Sequence, residues 1–312
     1  MKNYCVGVDV GGTTVKMGLF DITGSLMDKW EIVTRKEDGA SHVFPDIAAS
    51  IRERTDRHGL TLADLTGVGM GIPGPVEEDG YVGKIVNIGL YDLNPAKELS
   101  ALLDGVPVKA GNDANVAALG EAWLGGAQGY QNVVMFTLGT GVGGGIVMSG
   151  QLFSGSHGMG GELGHMTVNP AETEACNCGN HGCLEQYASA TGVVRVARRQ
   201  LMQNTGGSVL RDIGELTAKD VFDAAKSGDA VAMAAVEELG RYLGLAMSWV
   251  ALTVDPEVFI IGGGVSRAGQ ILLDVVRTNF EKNIFISDKK ADVALATLGN
   301  DAGICGAAKM VL

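Results

Sequence analysis

Proline is scarce in this chain, at 7 of 312 residues. With no Gly-X-Y period either, a collagen-like helix is excluded. Cations are also few: 24 Lys and Arg stand against 36 Asp and Glu, a net charge of −12. No Lys/Arg block stands out, so no nucleic acid and no anionic membrane is expected as a partner. An anionic ligand held by backbone N–H groups remains compatible with that charge. No run of about 18 uncharged apolar residues occurs, so no transmembrane helix is expected. Glycines, Asp9 and Lys16 interrupt the apolar N-terminal stretch, which does not read as a signal peptide. A cytoplasmic protein is the expectation. There is no Ser/Pro linker or low-complexity tract, so two halves are expected to face each other across a cleft.

Glycine is abundant, with 47 residues, about 15% and roughly twice ordinary usage. Apolar residues make up 46% of the chain and the mean hydropathy is +0.18. That is enough apolar surface to offset the entropy of ordering, so the glycines belong to a folded globule. There they mark backbone at positive φ or in close approach to a ligand.

The hydrophobic pattern reads as α/β. YCVGVDV, VKMGLFD and LMDKWEIVT form a meander of three strands, with turns at GGTT and at Asp21–Gly24. Helical spacing follows at 43–58, 95–104 and 114–124, between the strands GVGMGI and VPVKAGN. VVMFTLGTGVGGGIVMSG then repeats the opening strand–glycine–strand pattern, which implies a duplicated domain. Continuous helices are expected over Glu185–Gln203, Ala230–Thr253, Arg267–Lys282 and Ala302–Leu312, with VFIIGGGV a buried strand. The domain boundary is placed near Asn112–Asn115.

Four segments carry chemistry. In DVGGTTVK, Gly11 and Gly12 let the backbone approach a phosphate, while Thr13 and Thr14 donate hydrogen bonds. Asp9 is placed to orient Mg2+ through water. Read alone, the segment is equally well a tight turn. In LGTGVGGG, Gly139, Gly141 and Gly144 match G-x-G-x-x-G. A strand follows instead of a helix, so the dinucleotide fingerprint is rejected, and no P-loop motif is present. A second phosphate hairpin is the better reading. Asn112 and Asp113 sit where a strand meets a helix. An Asp there is most often an N-cap, and the functional alternative is a general base for a hydroxyl.

The fourth segment is GELGH with CNCGNHGCLE. Cys176, Cys178 and Cys183 offer three thiolates on one loop, and structural Zn2+ requires four ligands. His165 or His181 completes the set. His165 is favoured because it would staple a distant segment to the loop. Glu162 and Glu185 flank this cluster and suit sugar hydroxyls, the alternative being surface ion pairs. Cys5 and Cys305 read as core residues.

Together, DVGGTTVKMGLFD, GMGIPGPV, VNIGL, NDANVAALGEAWLGGA, TLGTGVGGGIV, GELGHMTV, CNCGNHGCLE and FIIGGGV resemble the ROK family of sugar kinases in the actin-like/hexokinase ATPase superfamily. Within the family they resemble the bacterial glucokinases. The resemblance implies two actin-like α/β lobes with a deep interdomain cleft. The smaller lobe would be residues 1–113, completed by 300–312, and the larger one 114–299 with the zinc loop. It implies phosphoryl transfer from ATP to the 6-hydroxyl of glucose, with Asp113 as the base. Gly74, Asn87, Asn112, Glu162, His165 and Glu185 would hold the sugar. Asp9, Gly11–Thr14, Lys16, Thr137 and Gly139–Gly141 would serve the Mg2+ and phosphates of ATP, with Gly262, Gly263 and Gly264 on the adenosine side. Structural Zn2+ would sit on His165, Cys176, Cys178 and Cys183, and a homodimer is expected. Other readings are a kinase for mannose, fructose, N-acetylglucosamine or N-acetylmannosamine, use of polyphosphate as donor, and a non-catalytic sugar sensor. A ROK repressor would need a helix-turn-helix before Tyr4, and none is expected.

Overall fold

In a computed structural model, which describes residues 2–77, 79–85 and 88–312, the N-terminal meander forms as β1 (Tyr4–Val10), β2 (Thr14–Asp21) and β3 (Leu26–Val33). A single turn α1 (Glu37–Ala40), α2 (Val43–Arg57), β4 (Leu65–Ile72) and the hairpin β5 (Val82–Ile85) and β6 (Leu90–Leu93) follow. Next come α3 (Pro95–Leu102), β7 (Val108–Asn112), α4 (Asp113–Leu124), β8 (Val133–Leu138), β9 (Val142–Met148) and β10 (Gln151–Leu152). The chain ends with α5 (Glu185–Ala188), α6 (Ala190–Gln203), α7 (Ala218–Lys226), α8 (Ala230–Val254), β11 (Val258–Gly262), α9 (Gln270–Lys282), β12 (Asp292–Leu295) and α10 (Ala302–Lys309).

The first sheet has the order β3-β2-β1-β4-β7, antiparallel through the meander and parallel from β1 to β7. The second has the order β10-β9-β8-β11-β12, with β8, β11 and β12 parallel. Both sheets therefore repeat one topology, a meander followed by two parallel strands. The chain divides into one unit of Met1–Gln131, Gly145–Gly161 and Leu298–Leu312 and a second of Asn132–Gly144 and Glu162–Thr297. Among the described residues no helix is long and apolar enough to cross a membrane.

Two-residue periodicity explains how β1 is buried on both faces. Val6, Val8 and Val10 point into a core with Val43, Phe44, Ile47 and Ile51 of α2, residues at the i, i+1, i+4, i+8 spacing of one helical stripe. Each such side chain contributes about 1.5–3 kcal/mol on burial. The alternate residues are small. Cys5 packs with Ile304, Cys305 and Ala308 of α10, and a Cβ on Gly7 or Gly69 would overlap the carbonyls of Ile304 or Ala307. The missing side chains let α10 lie directly on β1 and β4.

Two helical boundaries differ from the pattern. The expected helix over Glu185–Gln203 is broken at Ser189, which is extended (φ −75°, ψ 166°). Its hydroxyl accepts the Gly192 N–H at 2.9 Å, so it is the N-cap of α6. The helix expected from Arg267 begins at Gln270, because residues 264–268 form a 3-10 turn that ends at Gly269 with φ +75°. Helix α7, with a reciprocal Thr217–Asp220 capping box, and strands β5, β6 and β12 were not anticipated.

Candidate active site

In the first unit, the alternation that faces Cys5 and Gly7 toward α10 carries Asp9 there too. A Cβ on Gly303 would stand 2.8 Å from the Asp9 Cγ. Burial raises the Asp9 carboxyl above its ordinary value, and Lys16, its cross-strand partner, pulls it down. The β1–β2 turn closes with the Gly11 N–H donating to the Thr14 carbonyl at 3.0 Å. A Cβ on Gly11 would be 2.7 Å from that carbonyl oxygen, so the turn requires glycine. Thr34, just past β3, braces it: its hydroxyl donates to the Gly11 carbonyl at 2.7 Å and its N–H to the Thr13 carbonyl at 2.9 Å. Thr13 and Thr14 lie beside this brace.

At the C-terminal end of β7, Asn112 makes the helix cap, which composition alone would assign to Asp113. The Asn112 Oδ1 accepts the N–H groups of Ala114 at 3.0 Å and Asn115 at 3.1 Å. Asp113 is the first residue of α4, its Oδ1 accepting the Ala114 N–H at 2.7 Å. Asn112 Nδ2 donates to the Gly74 carbonyl at 3.1 Å, joining two of the expected sugar residues. Asn87, a third, lies outside the described residues. Asn115, which the motif reading passed over, is buried. It donates to the Gly160 carbonyl and accepts the Ile146 N–H, fastening α4 to the glycine segment and to β9.

In the second unit the turn between β8 and β9 closes with the Gly139 N–H on the Gly141 carbonyl at 2.9 Å. Thr137 is in register with Gly262 across β8 and β11. Gly263, at φ +82°, brings the next loop to within 2.5 Å of where a Cβ would meet the Leu138 backbone, so Gly262–Gly264 adjoin the base of the hairpin. A cavity of about 550 Å³ opens alongside, lined by Thr140, Thr191, Val194, Arg198, Leu216 and Thr217 among others. No sequence motif marks Thr191, Val194 and Arg198, the lining residues on α6.

The ligand atoms of His165, Cys176, Cys178 and Cys183 all lie within 4.8 Å of one another. The Cys178 and Cys183 sulfurs are 3.7 Å apart. That matches the edge, about 3.8 Å, of a tetrahedron with metal–sulfur bonds of about 2.3 Å. The His165 Nδ1 is buried without a hydrogen-bond partner, and its Nε2 is 3.9 Å from Glu162 Oε2. An orphaned imidazole nitrogen beside three thiols fits a metal ligand set. His181 is exposed in a bridge to Ala175, outside the set. Gly182, at φ +74°, turns the chain where a Cβ would overlap the Asn169 carbonyl. Burial, reinforced by the neighbouring thiols, pushes the Cys183 thiol up to about 12.

Behind this loop lies Glu172, whose side chain is 3% exposed. It accepts the Tyr187 hydroxyl at 2.6 Å, Arg195 Nη2 at 2.9 Å and Arg199 Nη2 at 3.1 Å. Burial opposes its charge, but Tyr187, the Glu174 N–H and the two guanidiniums outweigh that and hold it at about 2. The four-residue spacing of Arg195 and Arg199 puts both on one face of α6. Nothing in the sequence signals their acidic partner.

Two copies of one sheet, each opening on a glycine hairpin, define the actin-like α/β class. The ROK family model matches residues 5–312, and the chain belongs to the ROK family. A glucokinase of Halalkalibacterium halodurans is 45% identical over 99% of this chain and 94% of its own length. A glucokinase of Thermotoga maritima is 37% identical over 99% and 98%. Among solved structures, a ROK glucokinase from Streptomyces griseus in complex with glucose and AMPPNP superposes with a TM-score of 0.74 at 33% identity, covering 98% of both chains.

Proposed function

We propose that this chain is an ATP-dependent glucokinase that transfers the γ-phosphate of ATP to the 6-hydroxyl of glucose. The observation that carries the reading is the Asn112–Asp113 pair at the start of α4, where Asn112 serves as the cap. Asp113 is the base. The sugar oxygen bonds to the γ-phosphorus, the bond to the β,γ-bridging oxygen breaks, and ADP leaves. The hydroxyl proton passes to the Asp113 carboxylate. Gly74, Asn87, Asn112, Glu162, His165 and Glu185 hold the sugar hydroxyls. The backbone N–H groups of Gly11–Thr14 and Gly139–Gly141 hold phosphates, which lets an acidic protein bind an anion with few cations. Lys16, Thr137 and Gly262–Gly264 complete the nucleotide side, with the cavity at Val194 and Arg198 taking the adenosine. Asp9 orients the Mg2+ of the nucleotide, whose charge neutralises the phosphates. His165, Cys176, Cys178 and Cys183 hold a structural Zn2+, which locks the loop and fixes the imidazole tautomer. A homodimer is part of this reading.

The test is ADP release in a coupled assay with Mg-ATP and glucose. Sugar-dependent ADP is the expected result, and its absence would sink the kinase reading. Comparing kcat/KM for glucose, mannose, fructose, N-acetylglucosamine and N-acetylmannosamine then fixes the substrate. A sugar better than glucose would replace it. Polyphosphate in place of ATP tests the donor.

A further inference from the structure

Glu185 has two neighbours that neither sugar binding nor metal binding requires. Its Oε2 accepts the Val142 N–H at 2.9 Å. Its Oε1 lies 3.8 Å from the Cys176 sulfur. The carboxylate thus stands between a cluster sulfur and the first residue after the Gly139–Gly141 turn. Gly141 is the complement of this arrangement, since a Cβ there would overlap the Glu185 Oε2.

The residues after Glu185 continue the attachment. The Ala190 N–H donates to the Gly139 carbonyl at 2.8 Å, and the Thr191 hydroxyl to the Thr140 carbonyl at 2.8 Å. Ser189 holds the intervening bend, its hydroxyl donating to the Glu185 carbonyl at 2.7 Å. At the other end, Cys183 is bridged to Thr167 and donates its N–H to Gln186 Oε1. The break at Ser189 now has a physical reason. A continuous helix would carry Ala190 and Thr191 past the turn rather than onto it.

We propose that residues 185–191 form a strut from the three-cysteine, one-histidine cluster to the β8–β9 phosphate hairpin, with Glu185 a positioning residue for the nucleotide. The strut fixes the turn in the geometry that presents its N–H groups to phosphate. Occupancy of the metal cluster therefore reaches nucleotide affinity as well as the sugar side. The proposal rests on the kinase reading for the identity of the ligand.

A double-mutant cycle tests it, with Gly141→Ala and Glu185→Ala alone and together. The readout is the Kd of AMPPNP with Mg2+ by titration calorimetry in the absence of sugar, so that any role of Glu185 toward hydroxyls drops out. In the wild-type background Gly141→Ala weakens binding about tenfold, the effect of driving a methyl against a contacting group. In the Glu185→Ala background the same change costs less than about twofold, because the opposing carboxylate is gone. Equal losses in both backgrounds overturn the strut. Glu185→Gln keeps an acceptor for the Val142 N–H and holds AMPPNP within about threefold of wild type; a glutamine variant as weak as Glu185→Ala overturns it. Stripping the metal from the wild-type chain, with the far-UV circular dichroism unchanged, raises the AMPPNP Kd, and an unaltered Kd overturns the coupling. Wild-type protein that binds no AMPPNP overturns the kinase reading together with this inference. Binding with an additive cycle overturns the inference alone.

Discussion

The two glycine hairpins have the same length and the same place in the same sheet topology, yet they are held differently. The β1–β2 turn is braced from within its own meander, because β3 runs alongside β2 far enough for Thr34 to reach Gly11 and Thr13. The third strand of the second meander, β10, has two residues, paired with Met148 and Val147 at the far end of β9 from the turn. Among the described residues no counterpart of Thr34 follows β10 at that turn. Its place is taken by Glu185, Ala190 and Thr191, which belong to the segment leaving the three-cysteine, one-histidine cluster. The repeated topology supplies two glycine turns, and the short β10 leaves one of them held by a distant loop.

Asp113→Asn is the reference for that comparison, since Asp113 opens α4 and belongs to neither hairpin. Turnover falls roughly 10²–10⁴-fold, while glucose and AMPPNP affinities stay at wild-type values. Near-normal kcat would remove Asp113 from the base role. Loss of AMPPNP binding would show that the start of α4 supports a hairpin after all.

Metal removal, or Cys178→Ser, separates the hairpins. A ligand set of this kind contributes several kcal/mol to folding, so the melting temperature drops by about 10 °C or more. Amide exchange speeds up at Gly139–Val142 and stays protected at Gly11–Thr14. Equal deprotection of both turns would erase the distinction drawn here.

Acid acts on the same side. The Glu172 carboxyl titrates at about 2 in the folded chain, against an ordinary 4.5. A depressed carboxyl stabilises fully above its unfolded value, and that contribution is lost as pH falls from 4.5 toward 2. The shift corresponds to roughly 3 kcal/mol. Glu172→Gln lowers stability at pH 7 and flattens the decline below pH 5. Thermal melts of both proteins across that window check it, and parallel slopes would rule Glu172 out as the source.

The smallest effect is expected from Thr34→Val, which removes one hydroxyl bond to the Gly11 carbonyl, worth about 1 kcal/mol. The AMPPNP Kd rises a few-fold, by the same factor with and without the metal. A factor that changes on chelation would mean that the two turns share their support.

Much of the framework was legible in advance. Glycine runs between β-branched stretches marked both hairpins, and three thiols crowded into one loop marked the cluster. What stayed hidden depended on partners remote in sequence. Ser189 sits within a good helical pattern, and only the need to dock Ala190 on Gly139 breaks it. Thr34 and Asn115 are ordinary polar residues until the fold brings the Gly11 and Gly160 carbonyls to them. The Thr217–Asp220 capping box, by contrast, is a local signal that the sequence carries openly. At the start of α4 the residue type pointed to Asp113 as the cap, but the adjacent Asn112 is an equally good cap and takes that place.

The close seating of the last helix bears on how the chain is made. Gly7 and Gly69 on the sheet and Gly120 on α4 leave no room for side chains against α10, and Gly306 reciprocates against Val116. The first unit needs Leu298–Leu312 to be whole, whereas the second needs nothing beyond Thr297. On the ribosome the unit begun first is therefore completed last. Its central strands must wait, with one face uncovered, while the entire second unit is synthesised.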